Sequence, residues 1–159
     1  PEEKLEIYGD LMRIITAQSM EYFSSRPKEN KQMILFCLDE FASFGKLQIT
    51  PALRRLRKRR IRILVLTQSV SDVDMIYGKD ERIAMLGNFK FTVILGCKDT
   101  ETQEYFSKMI GEKRSLLATD PNQKRQPIIK PADLAHLEQD LFVICDDGAI
   151  RLRKNFYFK

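Results

Sequence analysis

No stretch of the sequence reaches the roughly 18 consecutive apolar residues that a membrane-spanning helix needs. No signal peptide opens it either. The chain starts at Pro1 in a charged, helix-like segment, and we expect it to be a piece of a longer protein, with room for a membrane anchor elsewhere in the parent. The three cysteines, Cys37, Cys97 and Cys145, are far apart and form no CxxC pair. A zinc site is therefore not expected, and all three are expected as small buried hydrophobes in a reducing compartment. His136 is the single histidine. With no Cys or His nearby to share a metal, it reads as a surface or helix-end residue. There is no internal repeat and no low-complexity tract.

What is present is a chain of 159 residues, long enough for one domain with a real core. Hydrophobic residues make up 43%, which excludes disorder. The net charge of +5 is a mild pointer to an anionic partner. Residues 5–25 place Leu5, Tyr8, Leu11, Met12, Ile15, Met20 and Phe23 at helical spacing, and SSRPKENKQ then breaks the pattern. Met33–Leu38 predicts a fully buried strand. Residues 51–60 predict a helix, with Thr50 as cap and Pro51 in the first turn. IRILVLTQ (61–68) predicts a second buried strand, followed by a loop that holds DVDMIYG and a short helix near 80–87. FKFTVILG (89–96) predicts a third strand, and Thr100–Ile110 a helix capped by Asp99 or Thr100. Residues 111–131 read as an extended, mobile connection, PADLAHL (131–137) as a short capped helix, and 141–158 as a hairpin turning at Asp147-Gly148. Apolar strands alternating with helices predict an α/β layer with a mostly parallel sheet.

The strand at 33–38 ends in Asp39 and Glu40. In open α/β sheets, ligands sit at the carboxyl ends of the strands. An apolar strand closing in Asp-Glu has the pattern of the second acidic motif of phosphate-loop ATPases, in which the Asp holds Mg²⁺ and the Glu can polarise the attacking water. Two solvated acids at a strand end would read the same. The next strand ends in Thr67-Gln68, and an amide at that tip suits a sensor of the terminal phosphate; an ordinary polar strand end is the other reading. Between the two lies LRRLRKRRIR (53–62), with seven basic residues in the nine from Arg54 to Arg62. It reads either as a solvated helix face or as a phosphate-attracting patch, for a nucleic-acid backbone or for the nucleotide of a neighbouring subunit. No aromatic stacking platform marks single-strand specificity. Tyr77 is the only aromatic in the segment 69–81, and core packing suits it as well.

Three segments carry a resemblance: LDEFASFGKL (38–47), LRRLRKRRIRILVLTQSVSDVDMIYG (53–78) and NFKFTVILGCKDTETQEYFSKMIGE (88–112). With the closing QPIIKPADLAHLEQDLFVICDDGAIRLRKNFYF, they make the chain similar to the type IV secretion coupling proteins of bacterial conjugation, the TraG/TraD family. The likeness spans about residues 10–158. It implies the C-terminal part of a RecA-like ATPase domain, working as a homo-hexameric ring at the cytoplasmic face of the bacterial inner membrane with ATP and Mg²⁺ as cofactors. The implied partners are single-stranded DNA, relaxase and relaxosome proteins, and the secretion channel. By position the resemblance makes Asp39 the Mg²⁺ residue, Glu40 the base and Gln68 the glutamine after the next strand. Arg57 falls at the place of an arginine finger, with Arg55, Arg59 and Arg60 as alternatives. For DNA, Arg54, Arg55, Lys58, Arg59, Arg60 and Lys79 are the candidates, with Arg82 beside them.

The phosphate loop G-x-x-x-x-G-K-[ST], which the family needs, does not occur in this sequence. Its only Gly-Lys pairs, Gly45-Lys46 and Gly78-Lys79, lie in other contexts. The chain alone is therefore expected to lack ATPase activity, and its sheet to lack the strand that belongs between 61–67 and 89–96. Two other readings remain. One is a binding module for relaxosome or secretion partners, with a face on loop 111–131 and the hairpin. The other is a DNA-translocating ATPase of chromosome segregation or repair, against which TQSVSD and FGKL speak.

Overall fold

The structure, a computed structural model, describes residues 2–114 and 125–157. Its elements run in the order α1 (Glu2–Ser24), β1 (Ile34–Leu38), a 3₁₀ turn at Phe41–Phe44, α2 (Ile49–Arg57), β2 (Ile61–Val65), α3 (Val70–Tyr77), α4 (Lys79–Leu86) and β3 (Thr92–Ile94). There follow α5 (Thr100–Ile110), β4 (Glu112–Arg114), β5 (Arg125–Pro127), a 3₁₀ helix at Pro131–His136, β6 (Asp140–Cys145) and β7 (Gly148–Arg153). They fall into two compact units, Pro1–Phe89 and Lys90–Lys159.

In the first unit β1 and β2 pair in parallel, with Ile34 beside Ile61 and Leu38 beside Val65. Side chains alternate across the pair. Ile34, Phe36, Leu38, Ile61, Ile63 and Val65 face a core built with Met20 of α1, Leu56 of α2, Val73 of α3 and Met85 of α4. The opposite face is open: Leu35 is 61% exposed, Leu64 and Leu66 are exposed, and so is Cys37. This corrects the expectation of fully buried strands and of three buried cysteines. Only Cys97 is buried, and Cys145 is intermediate. The apolar run reads as doubly covered, whereas among the described residues helices of its own unit pack on one face only. Among the described side chains of α1, Met20 and Phe23 near its C-terminus reach the core, whereas Tyr8, Leu11, Met12 and Ile15 are about half exposed.

Several boundaries moved. Helix α2 starts at Ile49, two residues before the expected first residue Pro51, and the cap position is Gln48 rather than Thr50, with no side-chain bond. Pro51 fits the first turn because N–H groups there have no intrahelical acceptor. Thr50 Oγ1 is instead buried without a hydrogen-bond partner among the described residues. The expected loop at 72–78 is helix α3. Ser69 caps it, accepting from the Asp72 N–H at 3.0 Å, and Val70, Val73 and Tyr77 are buried along one side.

In the second unit β3, β6 and β7 form an antiparallel sheet in that order. Helix α5 is capped as expected by Asp99, which accepts from Thr102 N–H at 2.9 Å. Ile94, Cys97, Ile110, Leu134, Leu137 and Phe142 make the core. Burial raises the Cys97 thiol pKa, with the nearby Asp99 charge adding to it. Strands β4 and β5 pair at the two ends of the stretch expected as an extended connection; its residues 115–124 lie outside the described residues. The helix expected at 131–137 is a 3₁₀ turn without a side-chain cap. The Leu134 carbonyl there accepts from Cys97 N–H at 3.1 Å, which ties it to the core rather than to a helical ladder. The hairpin turns one residue early. Cys145 pairs with Gly148, so Asp146 and Asp147 form the loop. Neither Asp has positive φ, and Gly148 takes φ 118° as the first residue of β7. A type I′ turn needs positive φ at both central residues, so Asp147-Gly148 is not the turn pair.

Among the described residues, β2 carries no second strand on its other edge, and neither does β3. Each is an edge at which a further strand would find unpaired backbone groups.

Candidate functional site

Asp39 and Glu40 sit immediately after the last residue of β1. They are pinched out of the strand pair. On one side the Leu38 carbonyl accepts from Leu66 N–H at 3.0 Å; on the other, Phe41 N–H donates to the Leu66 carbonyl at 2.9 Å. One residue of the β2 segment thus holds both ends of the acidic pair. Inside this two-residue blister Asp39 Oδ1 accepts from Glu40 N–H at 3.0 Å. Glu40 takes φ 49°, ψ 49°, the left-handed region, which costs a side-chain-bearing residue about 1–2 kcal/mol. Its carbonyl accepts from Ser43 N–H at 2.8 Å. Both carboxylates are exposed.

Leu66 leads directly into Thr67 and Gln68. The exposed Gln68 therefore emerges beside the acids at the same end of the strand pair. The sequence expectation placed these three residues together, and the structure does so. Sequence reasoning missed the buttress behind them. Phe41 is fully buried and stacks on Tyr77, ring centroids 5.3 Å apart and planes 12° from parallel. The helical spacing of Val70, Val73 and Tyr77 was the available signal.

The basic run lies at the opposite end. Helix α2 ends at Arg57, and the Arg60 carbonyl accepts from Ile34 N–H, the first residue of β1. Five strand residues at about 3.3 Å each put roughly 17 Å between that end and the acids. Several of the guanidiniums are already engaged. Arg55 pairs with Glu21 at 3.1 Å, Arg59 Nε donates to the Ser24 carbonyl at 3.2 Å, and Arg54 Nε donates to Asn88 Oδ1 at 3.2 Å. Arg57, Lys58 and Arg60 are exposed. Lys79 is also exposed, but it opens α4, whereas Asn88 lies just beyond that helix's far end. At 1.5 Å per residue the helix separates them by about 12 Å. Lys79 and the α2 cations are therefore not one patch.

Arg82 is corrected outright as a DNA contact. It is 5% exposed, and its Nε binds Asp74 Oδ1 at 2.7 Å with that carboxylate also largely buried. Removing one partner of a buried pair strands the other charge. We expect Arg82→Ala to destabilise the fold by about 3 kcal/mol, read by urea denaturation. A stability unchanged within about 0.5 kcal/mol would mean that this pair is solvated in solution.

Does the acidic turn suit a Mg–nucleotide? No group of three His, Cys, Asp or Glu able to cage a metal occurs among the described residues. One exposed carboxylate with room for water and phosphate oxygens is what Mg²⁺ takes, in contrast to a dedicated protein cage. The residues fit the metal-and-water side of such a site; the glycine-rich cradle for the phosphates is not in this sequence.

A parallel strand pair that closes in paired acids, with an amide at the neighbouring tip, has the form of the carboxyl-end edge at which open α/β sheets bind ligands. The model of a family described as the TraM recognition site of TraD and TraG matches residues 33–139. The chain belongs to this family, that of the type IV coupling proteins of conjugation. It is 28% identical to VirD4 of Agrobacterium fabrum, over 97% of this chain and 26% of the relative. To the conjugal transfer protein TraG of the same species it is 25% identical, over 94% of this chain and 25% of the relative. The plasmid coupling protein TrwB, solved with a non-hydrolysable ATP analogue, superposes with a TM-score of 0.76 at 26% identity, over 95% of this chain and 39% of that one. TrwB has also been solved with ADP and Mg²⁺. The chain thus spans about a quarter of the length of these curated relatives. Among the described residues no helix is long and apolar enough to cross a membrane.

Proposed function

We propose that this chain is the C-terminal part of a single RecA-like ATPase domain. Its parent is an ATP-driven coupling protein that delivers relaxase-bound single-stranded DNA to a type IV secretion channel. The observation that carries this reading is the acidic blister, which Leu66 holds in register with the Gln68 tip. Asp39 holds Mg²⁺ through water, Glu40 takes a proton from the attacking water, and Gln68 hydrogen-bonds that water or the terminal phosphate. Bound Mg²⁺ supplies charge neutralisation at the phosphates. Arg57 is the arginine finger. Since it lies at the far end from the acids of its own chain, it serves a neighbour's nucleotide in a homo-hexameric ring. The exposed Lys58 and Arg60 supply contacts to the DNA backbone, Arg54, Arg55 and Arg59 join them on release of their present bonds, Lys79 makes a separate contact, and the ring stands at the cytoplasmic face of the inner membrane. The test uses the full-length protein. Asp39→Ala is expected to lower Mg²⁺-dependent ATP hydrolysis at least about a hundredfold and to stop DNA transfer in a mating assay. Hydrolysis and transfer at wild-type levels would remove Asp39 and this reading of the blister.

A second reading has its own support. The matching family is described by TraM recognition, and the second unit carries a groove lined by Ile128, His136, Phe142 and Arg151. In that reading the unit binds relaxosome proteins. Pull-down of such a protein by the isolated chain, without nucleotide binding, would favour it.

A further inference from the structure

We propose that Tyr77 is a positioning residue for hydrolysis, holding Glu40 in its left-handed conformation through Phe41 and the segment 41–47. This rests on the reading of Glu40 as the base. A side-chain-bearing residue stays in the left-handed region only where its surroundings over-determine it. On the N-terminal side of Glu40 the constraint is the Leu38–Leu66 bond, and directly after it comes the Phe41–Leu66 bond. The rest of the constraint comes from Tyr77. Its ring lies flat on Phe41, the residue next to Glu40. Its hydroxyl accepts from Leu47 N–H at 3.0 Å and donates to the Gly45 carbonyl at 3.2 Å. One side chain thus grips the start and the end of the segment that leaves the acids. Gly45 takes φ 66° at this point, so the gripped segment contains a turn that side-chain-bearing residues resist. Lys46, inside the same segment, pairs with Glu81 of α4 at 2.9 Å.

Tyr77 is also the last residue of α3, which begins two residues after Gln68, with the cap Ser69 between them. The acids, Leu66, Gln68, α3 and Tyr77 therefore close a ring of bonded contacts. Burial raises the pKa of the phenol, with the nearby Glu81 charge adding to this and the Leu47 bond opposing it. The hydroxyl accordingly stays protonated, and able to donate, throughout the neutral range.

The test is a double-mutant cycle in the full-length protein under single-turnover conditions. Tyr77→Phe keeps the ring stack and removes both hydroxyl bonds. It is expected to lower the single-turnover rate constant roughly tenfold and to change the ATP concentration giving half-maximal rate less than about twofold, because misplacing a catalytic group costs the chemical step. On a Glu40→Gln background the same change should leave the residual rate unaltered. Phe41→Leu, which loosens the stack from the other side, should show the same dependence on Glu40. Equal falls in both backgrounds, or no fall in either, would reduce Tyr77 to a packing residue and overturn the proposal. Should Glu40→Gln itself hydrolyse at the wild-type rate, the base assignment fails and the positioning role falls with it.

Discussion

Glu40→Gln in the full-length protein is expected to bind ATP and Mg²⁺ with wild-type affinity and to hydrolyse at least about a hundredfold more slowly. The amide keeps the size and hydrogen-bonding reach of the side chain, so the bracketing bonds to Leu66 and the stack of Phe41 on Tyr77 are untouched. What it loses is the capacity to accept a proton from water. Nucleotide binding measured by fluorescence titration, set beside single-turnover hydrolysis, separates the two effects. Loss of binding together with turnover would mean that Glu40 holds the metal or shapes the turn. An unchanged rate would remove it as the base.

Arg57→Ala is expected to cost roughly a thousandfold or more in turnover, the range of an arginine finger. This effect should depend on assembly. Arg57 stands at the amino end of the strand pair and Asp39 at the carboxyl end. A chain therefore cannot bring its own Arg57 to its own acids without unfolding β2. Rings of Arg57→Ala subunits and rings of Asp39→Ala subunits should both be inactive. Mixed in equal parts, the two variants place an intact Asp39 against an intact Arg57 at about a quarter of head-to-tail interfaces. Hydrolysis should partly return. No recovery at any ratio would exclude action across the interface. Arg60, also exposed at that end, would then be the next residue to substitute.

The positions of the acids and the glutamine and the first two apolar strands were legible because each depends on local pattern, whereas of the strand expected over 89–96 only Thr92–Ile94 forms, paired antiparallel with β6. A run such as ILFCL, broken by Asp-Glu, declares a strand and its end. Other features were not legible, for different physical reasons. The outer faces of β1 and β2 carry Leu35, Cys37 and Leu64, and a sequence shows the same apolar run whether or not the described chain covers both faces. Helix α3 was mistaken for a loop because its density of Asp and Ser outweighed the spacing of Val70, Val73 and Tyr77. The hairpin was displaced by one residue because Gly148 uses its positive φ after the turn rather than within it. The grip of Tyr77 on Leu47 spans 30 residues, and no local pattern announces a contact at that separation. Nor does any residue preference mark Glu40 as left-handed, since Glu is not a residue that favours that region.

The strained backbone of Glu40 has a consequence for how sequences carrying this turn evolve and how they respond to engineering. Glycine at this position would adopt the observed φ of 49° without penalty, so Glu40→Gly relieves about 1 kcal/mol of strain and loses the carboxylate. A screen that rewards thermal tolerance alone would drift toward such replacements and, with Glu40 as the proposed base, collect proteins that no longer hydrolyse ATP. Under the proposed role of Glu40 as the base, a screen for transfer works against them, and stability design on this domain holds position 40 fixed.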